Sequence, residues 1–378
     1  MKNRIILLSA LLLCTFGVLN LLPSVDLVIR QTLYILFSLG IFLFVRGINI
    51  RVILEFSRVL YIITLVLLIL VLFVGTGSGG VNRWINLGII NFQPSELAKV
   101  SIPLFLLTLE GDIKKLIAGL VPAFLILIEP DLATSTVIVF LTWIVVFITT
   151  RNLPFVIYLA SIPLATIFSF SKIPFGIFLG AISLSFMLLR VKFEWLVGAI
   201  LSLIFVGLIT PVIWERGLKD YQRKRILAII NPSEHTEKLW QTYQSRIALA
   251  NAGPFGKGIY GATQKLYGYL PASHTDFAFS SFVETYGFVG GFIVLSLTAI
   301  MVFSILSTAF SEDVILRNIS VVVGSFFTYQ SFANMMSVFG VFPVAGIPYP
   351  FLSFGGSHII SEWLFLAVLF SAYTWKTS

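Results

Sequence analysis

The sequence predicts an all-α polytopic membrane protein, and three observations carry that prediction. Of its 378 residues, 58% are apolar and only 11% are charged, against roughly 25% charged in a soluble domain. Mean hydropathy is +0.99. Apolar runs of about 17–20 residues, the length of a bilayer-spanning helix, recur from end to end. A soluble chain of this length needs polar side chains over its surface, and this one lacks them. A soluble globule, a disordered chain and a secreted disulfide scaffold are therefore excluded. The single cysteine, Cys14, lies in the first apolar run and can form no internal disulfide.

Twelve apolar segments follow one another, at about 5–21, 27–45, 56–74, 94–109, 116–128, 133–149, 153–171, 173–189, 196–214, 280–306, 318–340 and 358–375. The first follows Met1-Lys2-Asn3-Arg4 without a small-residue cleavage site, so it reads as a retained helix rather than a signal peptide. The fourth opens on Pro94, which suits a first helical turn. The fifth is short and carries Pro122. The seventh and eighth are separated only by Lys172 and read as a tilted hairpin. The whole of 1–378 reads as one integral membrane domain, with a large extracytoplasmic loop at 215–279.

Orientation follows from the basic residues. With the N-terminus in the cytoplasm, twelve Lys/Arg fall in cytoplasmic positions and three, Arg30, Arg83 and Lys172, in short external connections. That is a positive-inside bias, and it places both termini in the cytoplasm of a cell-membrane protein. The long loop holds nine Lys/Arg against five acids. A cationic surface facing the outer leaflet suits an anionic lipid-linked ligand such as a diphosphate. The net charge of +8 is thus explained by orientation and anionic lipid, and nucleic acid is not expected.

Polar side chains in or beside apolar spans are costly, so they are the first candidates for function. Glu96 and Lys99 share one helix face at i, i+3. They read either as a structural ion pair or as the floor of an outward-facing cavity. Glu129-Pro130-Asp131 marks a break between two segments and reads as a metal site, a substrate-orienting site or a water interface. The Gly-rich stretch 75–88 carries Arg83, suited to bidentate phosphate contact, and Trp84, suited to anchoring at the interface. Asp276, flanked by His274 and Thr275 at an apolar rim, would have a raised pKa and make a better general base. The run 340–357 holds three prolines and four glycines and cannot be a regular helix. Such backbone at membrane depth must be buried in protein or line a cavity. No His/Cys metal spacing, nucleotide loop or cofactor motif is present.

Taken together these motifs resemble the SEDS family (shape, elongation, division and sporulation). Arg83-Trp84-Ile85-Asn86-Leu87-Gly88 with Phe92–Lys99 resembles its signature. Glu129-Pro130-Asp131-Leu132-Ala133-Thr134-Ser135 looks like its QPDLGTS element, with Glu for Gln and Ala for Gly. Gly256-Lys257-Gly258, Thr263-Gln264, Leu270-Pro271 and His274-Thr275-Asp276-Phe277 match its large external loop in order. Gly346-Ile347-Pro348 through Ser353 and Gly355-Gly356-Ser357 match its C-terminal element. Asp220-Tyr221-Gln222-Arg223 leans toward the elongation members.

The resemblance implies a peptidoglycan glycosyltransferase that polymerises lipid II on the outer face of the cell membrane, for elongation and shape. It implies a class B penicillin-binding protein as transpeptidase partner. The family's essential loop aspartate falls on Asp276 and its Glu/Lys pair on Glu96 and Lys99. Arg83, Asp131, Lys257, Arg223, His274 and Ser353 complete the expected substrate-binding set. A divalent cation, Mg or Mn, could help neutralise the leaving diphosphate, although the sequence shows no cage for one. The family usually has ten spans with seven before the large loop; here nine segments precede it, which suggests an inserted helical pair between Arg151 and Glu194. Glu284-Thr285 stands where the family commonly has paired acids. The competing readings are a flippase for the same lipid, a division-specific polymerase, and a scaffold that only recruits a transpeptidase.

Overall fold

Each of the twelve apolar segments folds as a helix in the computed structural model, which describes residues 2–77, 83–86, 91–150, 152–217, 223, 227, 240–342 and 346–375. In chain order they are α1 (Lys2–Asn20), α2 (Val25–Val45), α3 (Ile50–Val74), α4 (Pro94–Thr108), α5 (Asp112–Ile128), α6 (Leu132–Thr149), α7 (Leu153–Phe168), α8 (Lys172–Leu188) and α9 (Phe193–Val212). Then come two helices of the long loop, α10 (Trp240–Asn251) and α11 (Thr263–Leu266), followed by α12 (Ala278–Leu306), α13 (Val314–Val338) and α14 (Gly356–Thr374). The one sheet among the described residues is a two-stranded hairpin, β1 (Ile85–Asn86) with β2 (Asn91–Phe92), pairing Ile85 with Phe92. Seven of the helices are long and apolar enough to cross a bilayer. Pro122 sits inside α5 without ending it.

The chain divides into two compact units, 1–145 with 239–378, and 146–238. In the larger unit α14 is the buried hub, whereas α2 turns most of its surface outward. Aromatic side chains lock it to its neighbours. Phe42 of α2 meets Trp363 edge-on at 5.4 Å, and Phe365 stacks on Phe326 of α13 at 4.3 Å. Tyr61 of α3 stacks on Phe105 of α4 at 4.4 Å, and Thr64 and Ser101 share a hydrogen bond between the same helices. Large apolar side chains such as Phe44, Phe73 and Phe303 face outward. That is the pattern of a protein whose solvent is lipid. In the smaller unit α7, α8 and α9 close on a core of Ala165, Phe178 and Leu203.

One segment differs from its sequence expectation. The run 280–306 reads as a single span, but α12 is interrupted at Gly287, where φ is 78° and ψ is −179°. The break frees backbone groups, and the loop at 253–258 takes them up. Lys257 N–H donates to Glu284 O and Gly258 N–H to Thr285 O, while Phe288 and Val289 N–H donate to Gly253 and Pro254. Four backbone groups around the interruption are satisfied in this way, as burial demands. A Cβ at Gly287 would stand 2.3 Å from Gly256 N and Pro254 O, so only glycine permits this approach.

Candidate functional site

Asp276 ends the turn that leads into α12. Thr275 and Phe277 N–H both fold back on Ala272 O. Asn334 of α13 donates from one amide nitrogen to Asp276 O and to Ile347 O, each at 2.8 Å. That amide pins the aspartate's backbone to the irregular stretch 346–355. The same stretch is pinned from the other side, since Ser353 donates to Thr275 O at 2.7 Å and Phe354 N–H to His274 O at 2.8 Å. The Asp276 carboxylate lies beside Gly346, its Oδ2 3.8 Å from where a Cβ there would stand. Burial and then the negative charge of Asp131 push Asp276 up to about 6, against the pull of His358 and Arg83. A base of that strength is poised near neutral pH.

The break at 129–131 supplies the neighbours. Asp131 caps α6, accepting Thr134 N–H at 3.1 Å and the Thr134 hydroxyl at 2.9 Å, and it accepts Gln93 Nε2 at 3.0 Å. Arg83 donates Nε to Glu129 O at 3.1 Å and Nη2 to Pro130 O. Among the described residues two groups of its five-donor fork are engaged, which leaves others for an anion. Glu129 is 1% exposed and, among the described residues, neither carboxylate oxygen has a hydrogen-bond partner. Burial, then Asp131, push it up to about 8, with Arg83 opposing. An unpaired buried carboxylate is too costly, so this group is a neutral acid at pH 7.

Beneath these residues runs a buried polar network. Lys99 Nζ meets Glu96 Oε1 at 2.6 Å, and Ser361 donates to Glu96 Oε2 at 2.9 Å. His358 lies 3.8 Å from Glu96 and 3.0 Å from Glu362, four residues on along α14. Gln330 of α13 donates to Glu362 Oε1 and to Pro348 O, each at 3.1 Å, and Phe351 N–H donates to Glu362 Oε2 at 2.9 Å. The network therefore ties α4, α13 and α14 to the same irregular stretch that holds Asp276.

The family model described as a cell cycle protein, FtsW/RodA/SpoVE, matches residues 5–175 and 175–377. The chain belongs to this family. Among curated FtsW/RodA/SpoVE relatives, the peptidoglycan glycosyltransferase MrdB of Escherichia coli K12 is 29% identical over 83% of this chain and 77% of its own. A probable peptidoglycan glycosyltransferase FtsW of Aliivibrio salmonicida is 29% identical, over 88% and 76%. Two solved structures share the fold. One comes from work on a peptidoglycan synthase complex that coordinates polymerization and crosslinking (TM-score 0.72, 22% identity, 98% of this chain and 96% of that one). The other is Thermus thermophilus RodA (TM-score 0.64, 20% identity, 99% and 97%).

Of the residues that the FtsW/RodA/SpoVE motifs single out, the structure brings Asp276, Arg83 and Asp131 into one electrostatic neighbourhood and buries Glu96 with Lys99 as a pair. Ser353 is wholly buried, accepts Tyr349 N–H at 2.8 Å and donates to Thr275 O at 2.7 Å, so it holds the turn beside Asp276. His274 is exposed, its ring against Phe354 at 5.8 Å, and Lys257 is exposed on the loop. Arg223 belongs to the unit 146–238. Glu284 is no second acid at the site: its oxygens accept the N–H groups of Gln264 and Lys265 at 2.9 and 3.2 Å, capping α11. Among the described residues no three His, Cys, Asp or Glu side chains come together as a metal cage. The reading from sequence missed His358, Glu362, Gln330 and Asn334. Their signal was there, as two i, i+4 polar pairs inside apolar helices.

Proposed function

We propose that Asp276 is the general base of a glycan polymerase that consumes lipid II on the outer face of the membrane. The chain is a peptidoglycan glycosyltransferase and a multi-pass membrane protein. The observation that carries the assignment of the base is the Asp276 carboxylate itself, held at about 6 by burial and by Asp131 and anchored through its backbone by Asn334. It takes the proton of the acceptor's 4-hydroxyl as that oxygen attacks the anomeric carbon of the donor. Such proton transfer is worth roughly 10²–10⁴-fold. The bond to the polyprenyl diphosphate breaks, and the departing diphosphate carries the charge away. Arg83, with donors to spare, faces that charge, an electrostatic contribution often larger than proton transfer. Lys257, His274 and Arg223 are further candidates for the substrate's anionic groups. The buried Glu96–Lys99 pair supports the site from below, through the network that reaches the stretch holding Asp276. A class B penicillin-binding protein supplies the crosslinking step.

The test is glycan length on a gel from purified lipid II, with wild type and Asp276→Asn at equal expression. The variant keeps size and hydrogen bonding but cannot take the proton, so polymer is expected to fall by about two to four orders of magnitude with folding intact. Undiminished product would sink the assignment. A flippase would yield no polymer even as wild type, and a scaffold would be indifferent to Asp276→Asn.

A further inference from the structure

The corner where α1 gives way to α2 closes on the long loop around a polar cavity of about 210 Å³. Its walls carry Lys265, His274, Ser24, Ser273 and Asn20, with Leu27 among the apolar ones, and among the described residues no carboxylate lines it. Lys265 donates one N–H to Asn20 O, which leaves two of its three donors. Glu284 attracts Lys265 from nearby, but both Glu284 oxygens are engaged by the backbone N–H groups that start α11. Burial holds Lys265 down to about 8, against the pull of Glu284. Partial desolvation of the exposed His274 ring lowers it, which favours the neutral imidazole with one N–H. Ser24 precedes α2 but its hydroxyl makes no capping bond. The acid of that first turn, Asp26, is held by Arg30 at 3.2 Å on the surface.

We propose that this cavity is an anion site for a phosphate-bearing headgroup, with Lys265 as the charge and Ser24, Ser273 and His274 as neutral donors. Size narrows the ligand. Drug-sized sites run to roughly 300–1,000 Å³; this cavity, at about 210 Å³, takes a phosphate or diphosphate and leaves a disaccharide outside. Charge narrows it further, since an ammonium and three neutral donors with no acid on the wall complement an oxyanion and repel a cation. The headgroup is that of a phospholipid or of a polyprenyl diphosphate; only the second source rests on the glycosyltransferase reading.

The test uses the full chain in phosphatidylcholine nanodiscs, titrated with inorganic pyrophosphate by calorimetry. Wild type is expected to bind saturably at one site. Lys265→Met is expected to bind about ten-fold more weakly or worse, and Lys265→Arg to stay within about three-fold, since one charge-assisted contact is at stake. Lys172→Met, which removes a charge in the other unit, is expected to match wild type. Should Lys265→Met fold poorly, Ser24→Ala with Ser273→Ala decides, with weakening of about three-fold or more expected from two lost neutral donors. Absence of saturable binding by wild type, or equal affinity in properly folded Lys265→Met, would overturn the site. Competition by phosphatidylglycerol in the nanodisc supports the phospholipid as the source. Competition by polyprenyl diphosphate alone, with a raised KM for lipid II in Lys265→Met, supports the carrier lipid. Wild type that binds pyrophosphate but forms no glycan leaves the anion site standing and removes the glycosyltransferase reading.

Discussion

Two carboxyls that both feel Asp131 and Arg83 are given different protonation by their surroundings. Asp276, at about 6, is mostly ionised at pH 7 and able to accept a proton. Glycan synthesis is therefore expected to lose rate on acidification with a single-proton midpoint near 6, measured as kcat/KM against pH. A midpoint near the ordinary aspartate value would show that burial is not tuning it. Glu129, at about 8, keeps its proton in the folded protein between the usual carboxylate value and pH 8, where the unfolded chain has lost it. The folded state then binds more protons, so stability declines as pH rises through that window. Glu129→Gln keeps the shape and removes the titration. Its thermal midpoint is expected to exceed wild type's by a margin that grows from pH 5 to pH 8. A constant margin would mean that Glu129 is already ionised at the lower pH.

At the scale of elements, the helices were legible and their interruptions were not. Each helix announces itself by an apolar run long enough to span lipid, so the twelve segments come out in order, within a few residues at their ends. The break at Gly287 left no such trace. It exists because the loop at 253–258 supplies hydrogen bonds from far along the chain, and glycine alone in an apolar run does not reveal a remote partner. The helix Trp240–Asn251 was invisible for a related reason: it sits in a loop and carries no long apolar run. Glu96 and Lys99 were legible as a pair from their spacing, and α4 does bury them together at 2.6 Å. Their joint dependence on His358 and Ser361 was not legible, because α14 lies more than 250 residues away in sequence. Removing one member of a buried pair strands the other, at a cost of about 3–5 kcal/mol. Glu96→Ala is expected to lower the thermal midpoint markedly as well as the activity, and Lys99→Ala likewise. If both single variants keep wild-type stability, the pair is not buried in the working protein.

For the molecule as a whole, the acid that the motifs single out is visible in local sequence, whereas the residues that hold its backbone are not. Asp276 stands out because an acid at the end of an apolar helix is costly. Asn334, Gln330 and Glu362 act through backbone carbonyls and amides of a stretch that the sequence marks only as irregular, so their partners come from the fold. What the whole chain does with this site depends on which side of the membrane faces Asp276. The positive-inside bias predicts both termini in the cytoplasm and the loop 215–279 outside. Cysteine replacement decides it, in a Cys14→Ser background that removes the one native thiol. Tyr260 is exposed on the long loop and Lys114 is exposed in the first turn of α5, so neither replacement disturbs packing. In intact cells an impermeant thiol reagent is expected to label Tyr260→Cys and spare Lys114→Cys, with both labelled once the membrane is opened. The reverse pattern would place Asp276 on the cytoplasmic side. A polymerase drawing on substrate at the outer leaflet would then be impossible, however well its base is tuned.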